Sequence, residues 1–173
     1  MSVNIVLVPV TAASLDAELA GDLARLATLT AAAVTEWPPI DGEWDRDAMD
    51  HLRGVLDDEE FDAAFGAFYV VIDGALGGHA GFFGPPDADS EVEIGYSVCR
   101  QERRRGCATA VVGELCRRAG ALGAGSVRAR TTNSNVGSIE VLRRNGFQPS
   151  GDDRGHVVFR RATVGRDELN HEV

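Results

Sequence analysis

A chain of 173 residues is one domain on length, and it can bury roughly 70% of its unfolded surface without a disulfide staple. Its three cysteines, Cys99, Cys107 and Cys116, are odd in number and lack metal-ligand spacing, which reads as reduced thiols and excludes a disulfide framework. The net charge of −10 is split unevenly: residues 1–95 carry 19 Asp and Glu against 3 Arg, and residues 96–173 carry 8 against 14. An anionic ligand is therefore drawn to the second half and a cationic one to the first.

Residues 3–10, rich in Val and Leu, predict a first strand. Ser14 is read as the cap of a helix whose apolar positions Leu15, Leu19, Leu23, Leu26 and Leu29 keep helical spacing, with Gly21 as a breaking point. Trp37-Pro38-Pro39-Ile40-Asp41-Gly42 reads as a loop. Residues 45–61 predict a second helix with Met49, Leu52, Val55 and Leu56 inward. Residues 68–72 and 76–83 form a hairpin about the Asp73-Gly74 turn, and residues 91–98 form the next strand after a second turn at 84–89. A helix follows over about 110–119, then a strand at 125–130, a helix at 134–145, and strands near 147–150 and 156–161. Residues 166–173 read as a frayed polar tail, leaving 1–165 as a single domain. No apolar run approaches the roughly 20 residues of a membrane span. Met1-Ser2-Val3-Asn4-Ile5 lacks a basic region and cleavage site. A soluble, cytoplasmic protein is expected.

Chemistry concentrates in Arg103-Arg104-Arg105-Gly106-Cys107-Ala108-Thr109, between a strand and a helix. A turn with Gly and small residues before a helix directs several backbone N–H groups one way. The helix dipole adds about half a positive charge there. Such a site suits phosphate, and three arginines add fork-shaped donors. A diphosphate-bearing cofactor is the natural occupant. A Walker A loop is excluded because the chain has no lysine, and a dinucleotide fingerprint because only Gly106 is present. A nucleic-acid patch lacks its aromatic platform. Downstream, Asn133 to Phe147 reads as a capped helix stopped by Gly146, with Phe147 making the contact after the stop.

Taken in order, Glu93-Ile94-Gly95-Tyr96, Arg103-x-x-Gly106-x-Ala108-Thr109, Asn135-x-x-Ser138 and Arg143-Arg144-Asn145-Gly146-Phe147 resemble the GCN5-related N-acetyltransferases (GNAT superfamily). Within it they are most similar to the ribosomal-protein N-terminal, Rim-type branch. The resemblance covers about residues 67–161. It implies a single-domain α/β (α+β) fold: a mixed sheet of about six or seven strands flanked by about four helices, in the order β-α-α-β-β-β-α-β-α-β-β. It implies acetyl-CoA as donor and direct transfer to a primary amine, either a protein N-terminus or a small molecule. No nucleic-acid or membrane partner is implied, and a homodimer is admitted. A catalytically silent acyl-CoA-binding module is the alternative, and a longer acyl donor remains open.

The resemblance also implies site roles. Backbone N–H groups of Arg104, Arg105, Gly106, Cys107, Ala108 and Thr109 would cradle the pyrophosphate after Arg103, and Val98 N–H would polarise the acetyl carbonyl. Asn135 would bond the pantetheine, and Ser138 would protonate the leaving sulfur. At the position where many relatives carry a Tyr acid, this chain has Leu142. Period-two alternation puts Glu91 and Glu93 on one face of their strand, opposite Val92, Ile94, Tyr96 and Val98. A partly desolvated carboxylate there is a candidate base, with Glu93 first, Glu91 second and His79 third. Tyr96 belongs to the core by phase. Trp37 and Trp44, beside the acidic stretch 41–50, are candidates for holding a cationic acceptor. Cys107 sits where a helix N-terminus lowers a thiol pKa. It and Cys99 lack a His partner, so an acyl-enzyme is not expected.

Overall fold

The computed structural model describes residues 3–35, 37–38 and 46–164. Twelve elements follow in order: β1 (Ile5–Pro9), α1 (Ala12–Leu19), α2 (Leu23–Thr30), α3 (Arg46–Leu56), β2 (Ala67–Ile72), β3 (Ala75–Phe82), β4 (Glu91–Val98), α4 (Cys107–Ala121), β5 (Ser126–Thr131), α5 (Val136–Arg144), β6 (Gln148–Asp153) and β7 (His156–Ala162). The strands form one mixed seven-stranded sheet, ordered β1-β2-β3-β4-β5-β7-β6. This is the α/β fold implied by the sequence motifs, with one helix more than the expected order.

The extra helix comes from Gly21, which adopts φ +71 and divides the expected long helix into α1 and α2. The N-terminal cap also shifts. Thr11, not Ser14, caps α1: its Oγ1 accepts from Ser14 N–H at 3.2 Å, and Thr11 N–H donates to Ser14 Oγ at 2.9 Å. This is a reciprocal capping box with Ser14 inside the first turn. α3 stops at Leu56 rather than reaching Phe61, because Asp57-Asp58-Glu59-Glu60 would set four like charges at the negative end of the helix dipole. The tail 166–173 lies outside the described residues.

The chain divides into two compact units, residues 1–80 with 97–107, and residues 81–96 with 108–173. β3 and β4 contribute to both. In the first unit, β1 pairs antiparallel with β2 from Ile5↔Ile72 to Pro9↔Phe68. Leu15, Leu26, Trp37, Tyr69, Val71 and Leu76 build its core, with Met49, Leu52 and Leu56 of α3 packed against it. In the second unit, β4 runs parallel to β5 from Glu91↔Ser126 to Ile94↔Ala129, and β5 pairs antiparallel with β7. β6 lies exposed at the sheet edge, its register shifted between Pro149 and Gly151. Val111, Val112 and Leu115 of α4, Val127, Leu142, Phe147 and Phe159 are buried there. Among the described residues no helix is long and apolar enough to cross a membrane.

Two glycines test this packing from opposite sides. A Cβ on Gly78 would stand 2.2 Å from the Ser97 carbonyl oxygen, a backbone atom that cannot swing aside. Gly78→Ala should therefore cost about 2 kcal/mol or more in chemical denaturation. Gly54 is exposed within α3, and its Cβ would meet nothing within 4 Å. Gly54→Ala should raise stability by up to about 1 kcal/mol. Equal effects of the two substitutions would contradict the close approach at Gly78.

Candidate active site

The end of β4 is fixed from several sides. Gly78 lets the Ser97 carbonyl come close, and Cys99 N–H donates to Gly77 O at 2.8 Å. Arg103 Nε donates to Val98 O at 3.1 Å. A short 3-10 turn, Arg100–Glu102, leads into the arginine loop. Arg104 and Gly106 take left-handed backbone conformations, φ 60 and 82. The bend they make delivers the chain into the 15-residue α4 at Cys107. The first N–H groups of a helix have no acceptor within it, so this end carries donors and positive potential for an anion. A side chain on Gly106 would meet nothing within 4 Å, so the space beside the bend is open.

Two of the three arginine side chains are engaged within the protein. Arg103 braces β4. Arg105 donates to Asp73 Oδ2 at 2.7 Å and to Glu102. Asn4 N–H and then Arg105 hold the Asp73 carboxyl below its usual range. Arg104 is exposed. The backbone of the loop, with its first and third guanidiniums as struts, is what the site presents. Cys107 is buried, and desolvation pushes its thiol up despite Arg105. The depression expected from a helix N-terminus is outweighed.

Glu91 and Glu93 share a face of β4, as alternation requires, while Val92 and Ile94 are buried on the other. Neither glutamate is an isolated carboxylate. Glu93 Oε2 accepts from Arg128 Nη2 at 2.7 Å, and its Oε1 accepts from Arg130 Nε at 2.7 Å. Glu91 Oε2 accepts from Arg160 Nε at 2.8 Å and from Ser126 Oγ at 3.2 Å, with Arg128 Nη1 3.5 Å from its Oε1. The guanidiniums come from β5 and β7, neighbouring strands of this sheet. Both Glu93 oxygens accept charge-assisted bonds, which places this residue in an ion-pair ladder across the sheet face.

Tyr96 occupies the face assigned to the core, but its hydroxyl reaches α5: Tyr96 Oη lies 2.7 Å from Ser138 Oγ. Asn135 caps α5, its Oδ1 accepting from Ser138 N–H at 3.0 Å. Thus Asn135, Ser138 and Tyr96 form one group, half-buried at Ser138 and Tyr96 and exposed at Asn135. Asn145 ties the far end of α5 to the first turns of α4, donating through Nδ2 to Thr109 O at 3.1 Å. Leu142 is fully buried.

Trp37, a candidate for holding the acceptor, is buried at 7% exposure. Its indole N–H donates to Glu18 Oε1, and Tyr69 Oη donates to Glu18 Oε2 at 2.7 Å. His79 Nε2 is 3.8 Å from the same Oε2. The rings of Trp37 and Tyr69 flank the imidazole, with centroids 4.7 and 5.1 Å away. Burial lowers the His79 pKa, with Glu18 opposing that shift in part. Burial and the Glu18 charge hold the Tyr69 phenol well above its usual range. Trp44 lies outside the described residues. Among the described residues no cluster of His, Cys, Asp and Glu could hold a metal ion.

Comparison with known proteins agrees with this architecture. The family model described as an acetyltransferase (GNAT) domain matches residues 5–148. The chain belongs to the GNAT acetyltransferase family. No curated protein matches it in sequence. Among solved structures, a GNAT-family acetyltransferase from Streptococcus pneumoniae has TM-score 0.66 at 13% identity, covering 93% of this chain and 100% of that one. The microcin C7 self-immunity acetyltransferase MccE, solved with acetyl-CoA and AMP, has TM-score 0.63 at 14% identity, covering 91% and 92%. The Campylobacter jejuni N-acetyltransferase PseH, solved with acetyl coenzyme A, has TM-score 0.55 at 19% identity, covering 68% and 81%.

The buried imidazole makes stability depend on pH. The His79 pKa is lower folded than unfolded, so between those values the unfolded chain binds more protons, and stability falls as pH drops below about 6.5. His79→Gln should flatten that part of a stability-versus-pH curve measured by urea denaturation between pH 7.5 and 5.5. An unchanged slope would show that His79 does not contribute to it.

Proposed function

We propose that the protein is an acetyl-CoA-dependent N-acetyltransferase that moves the acetyl group to a primary amine directly, in a ternary complex. The observation that carries this is the arginine-glycine loop: two left-handed residues feeding the N-terminus of α4, beside open space at Gly106. That arrangement fits a pyrophosphate, and two structural relatives, PseH and MccE, were solved with acetyl-CoA. The backbone N–H groups of residues 104–109 cradle the diphosphate, and Val98 N–H polarises the thioester carbonyl. The Nδ2 group of Asn135, not used in capping α5, donates to the pantetheine. Ser138 passes a proton to the departing thiolate, oriented and resupplied by Tyr96 through the 2.7 Å contact. The acceptor is a protein N-terminus, as the Rim-type motifs favour, or a small amine drawn by the acidic first half.

Two substitutions separate binding from chemistry. Gly106→Glu places a carboxylate in the diphosphate path, and acetyl-CoA affinity by calorimetry should fall at least about 100-fold with the fold retained in circular dichroism. Ser138→Ala should lower kcat about 10-fold or more, at unchanged acetyl-CoA affinity, in an assay of thioester loss with a panel of amines. Wild-type affinity in the first variant would overturn the placement of the donor. Acetyl-CoA binding without amide formation by any amine would favour a silent acyl-CoA-binding module.

A further inference from the structure

The His79 imidazole is not a lone core histidine. It stands on β3 beside the one stretch of β4 where the donor carbonyl is placed above. The bond from Cys99 N–H to Gly77 O at 2.8 Å sets the local pairing, and Gly78 lies against Ser97 and Val98. Two residues along this antiparallel ladder from the 77–99 pair, His79 lies opposite Ser97, and directly opposed residues share a sheet face. Behind the imidazole is Glu18 of α1, whose side chain is 1% exposed, 3.8 Å from Nε2. Trp37 N–H and Tyr69 Oη hold that carboxylate in place. The imidazole side chain keeps 16% exposure, while its Nε2 is buried on the Glu18 side.

We infer that His79 is the proton acceptor for the amine, and that Glu18 is a positioning residue that fixes its ring and stabilises the imidazolium. The inference rests on the acetyl-transfer reading above. In the step, His79 takes one proton from the substrate ammonium. The freed nitrogen lone pair forms the C–N bond at the thioester carbonyl, and the C–S bond breaks with its electron pair going to sulfur. A second proton leaves the nitrogen, the thiolate gains one, and the products are an N-acetyl amide, coenzyme A and imidazolium. Imidazolium then returns its proton to solvent.

The groups that face the imidazole suit this cycle. Glu18 from α1 supplies the countercharge. Tyr69 from β2, its phenol held neutral by burial, donates to Glu18. Trp37, from the segment after α2, is neutral. Desolvation keeps the imidazole unprotonated at neutral pH, which a base must be before substrate arrives. By contrast, Glu93 and Glu91 already serve as acceptors for three guanidiniums.

The test uses the full chain, acetyl-CoA and methylamine as a small primary-amine probe. Calorimetry first compares acetyl-CoA affinity in wild type, His79→Gln and Glu18→Gln. Thioester loss is then followed from pH 5.5 to 9. His79→Gln should retain acetyl-CoA affinity, lose about 100-fold in kcat near pH 7, and lose the rising acid limb of the wild-type profile. Glu18→Gln keeps acceptor and donor atoms for Trp37 and Tyr69, because the Tyr69 hydroxyl can turn to accept. It should move the acid limb to lower pH and reduce the plateau, since the imidazolium loses its countercharge. Wild-type kcat and pH profile in His79→Gln, at equal acetyl-CoA affinity, would overturn the inference and leave the acetyl-transfer reading intact. Absence of acetyl-CoA binding in wild type would overturn both.

Discussion

The close passage of Gly78 past the Ser97 carbonyl is the constraint on which the candidate site depends. With no side chain at residue 78, β3 and the end of β4 approach within a distance that any Cβ would forbid. The Cys99–Gly77 hydrogen bond and the Arg103–Val98 bond then fix where β4 stops. From there the chain turns through the left-handed Arg104 and Gly106 and starts α4 at Cys107. The close backbone approach thus places Val98 and the start of the loop that follows it.

The arginines show how charge is taken up within the structure. Three in succession look like a phosphate clamp in sequence. In the structure Arg103 supports a backbone carbonyl, and Arg105 is tied to Asp73 and Glu102. Preorganised backbone donors cost less to aim than long side chains, because their geometry is set by folding rather than by binding. The same economy governs β4, where Arg128, Arg130 and Arg160 hold Glu91 and Glu93. Each of these guanidiniums is partly exposed, so the ladder contributes modestly to stability and chiefly orders the sheet face.

Much of this was legible from sequence where periodicity and turn chemistry act locally. The β4 alternation, the Asp73-Gly74 turn, the loop and the α5 cap at Asn135 all follow from spacing and residue type. The motifs also gave the sheet and the family. What escaped was set by distant contacts. Glu18 belongs to an acidic, solvent-like stretch by composition, and only the packing of α1 on β2 and β3 makes it a buried anion. Tyr96 has core phase, yet its ring is long enough for the hydroxyl to emerge at Ser138. Trp37 was a candidate acceptor platform by residue type, and its bond to Glu18 within the core was not legible. Gly21 was marked as a breaking point, but the new α2 cap at Asp22 depended on the backbone turn the glycine permits.

Hydrogen–deuterium exchange of the full chain with and without acetyl-CoA tests the central placement most directly. Slowed exchange is expected over residues 98–109, where the Val98 N–H and the loop N–H groups would meet the donor, with smaller changes at the α5 cap around Asn135 and Ser138. Binding that leaves residues 98–109 exchanging as in the free protein, or that protects another segment instead, would contradict it.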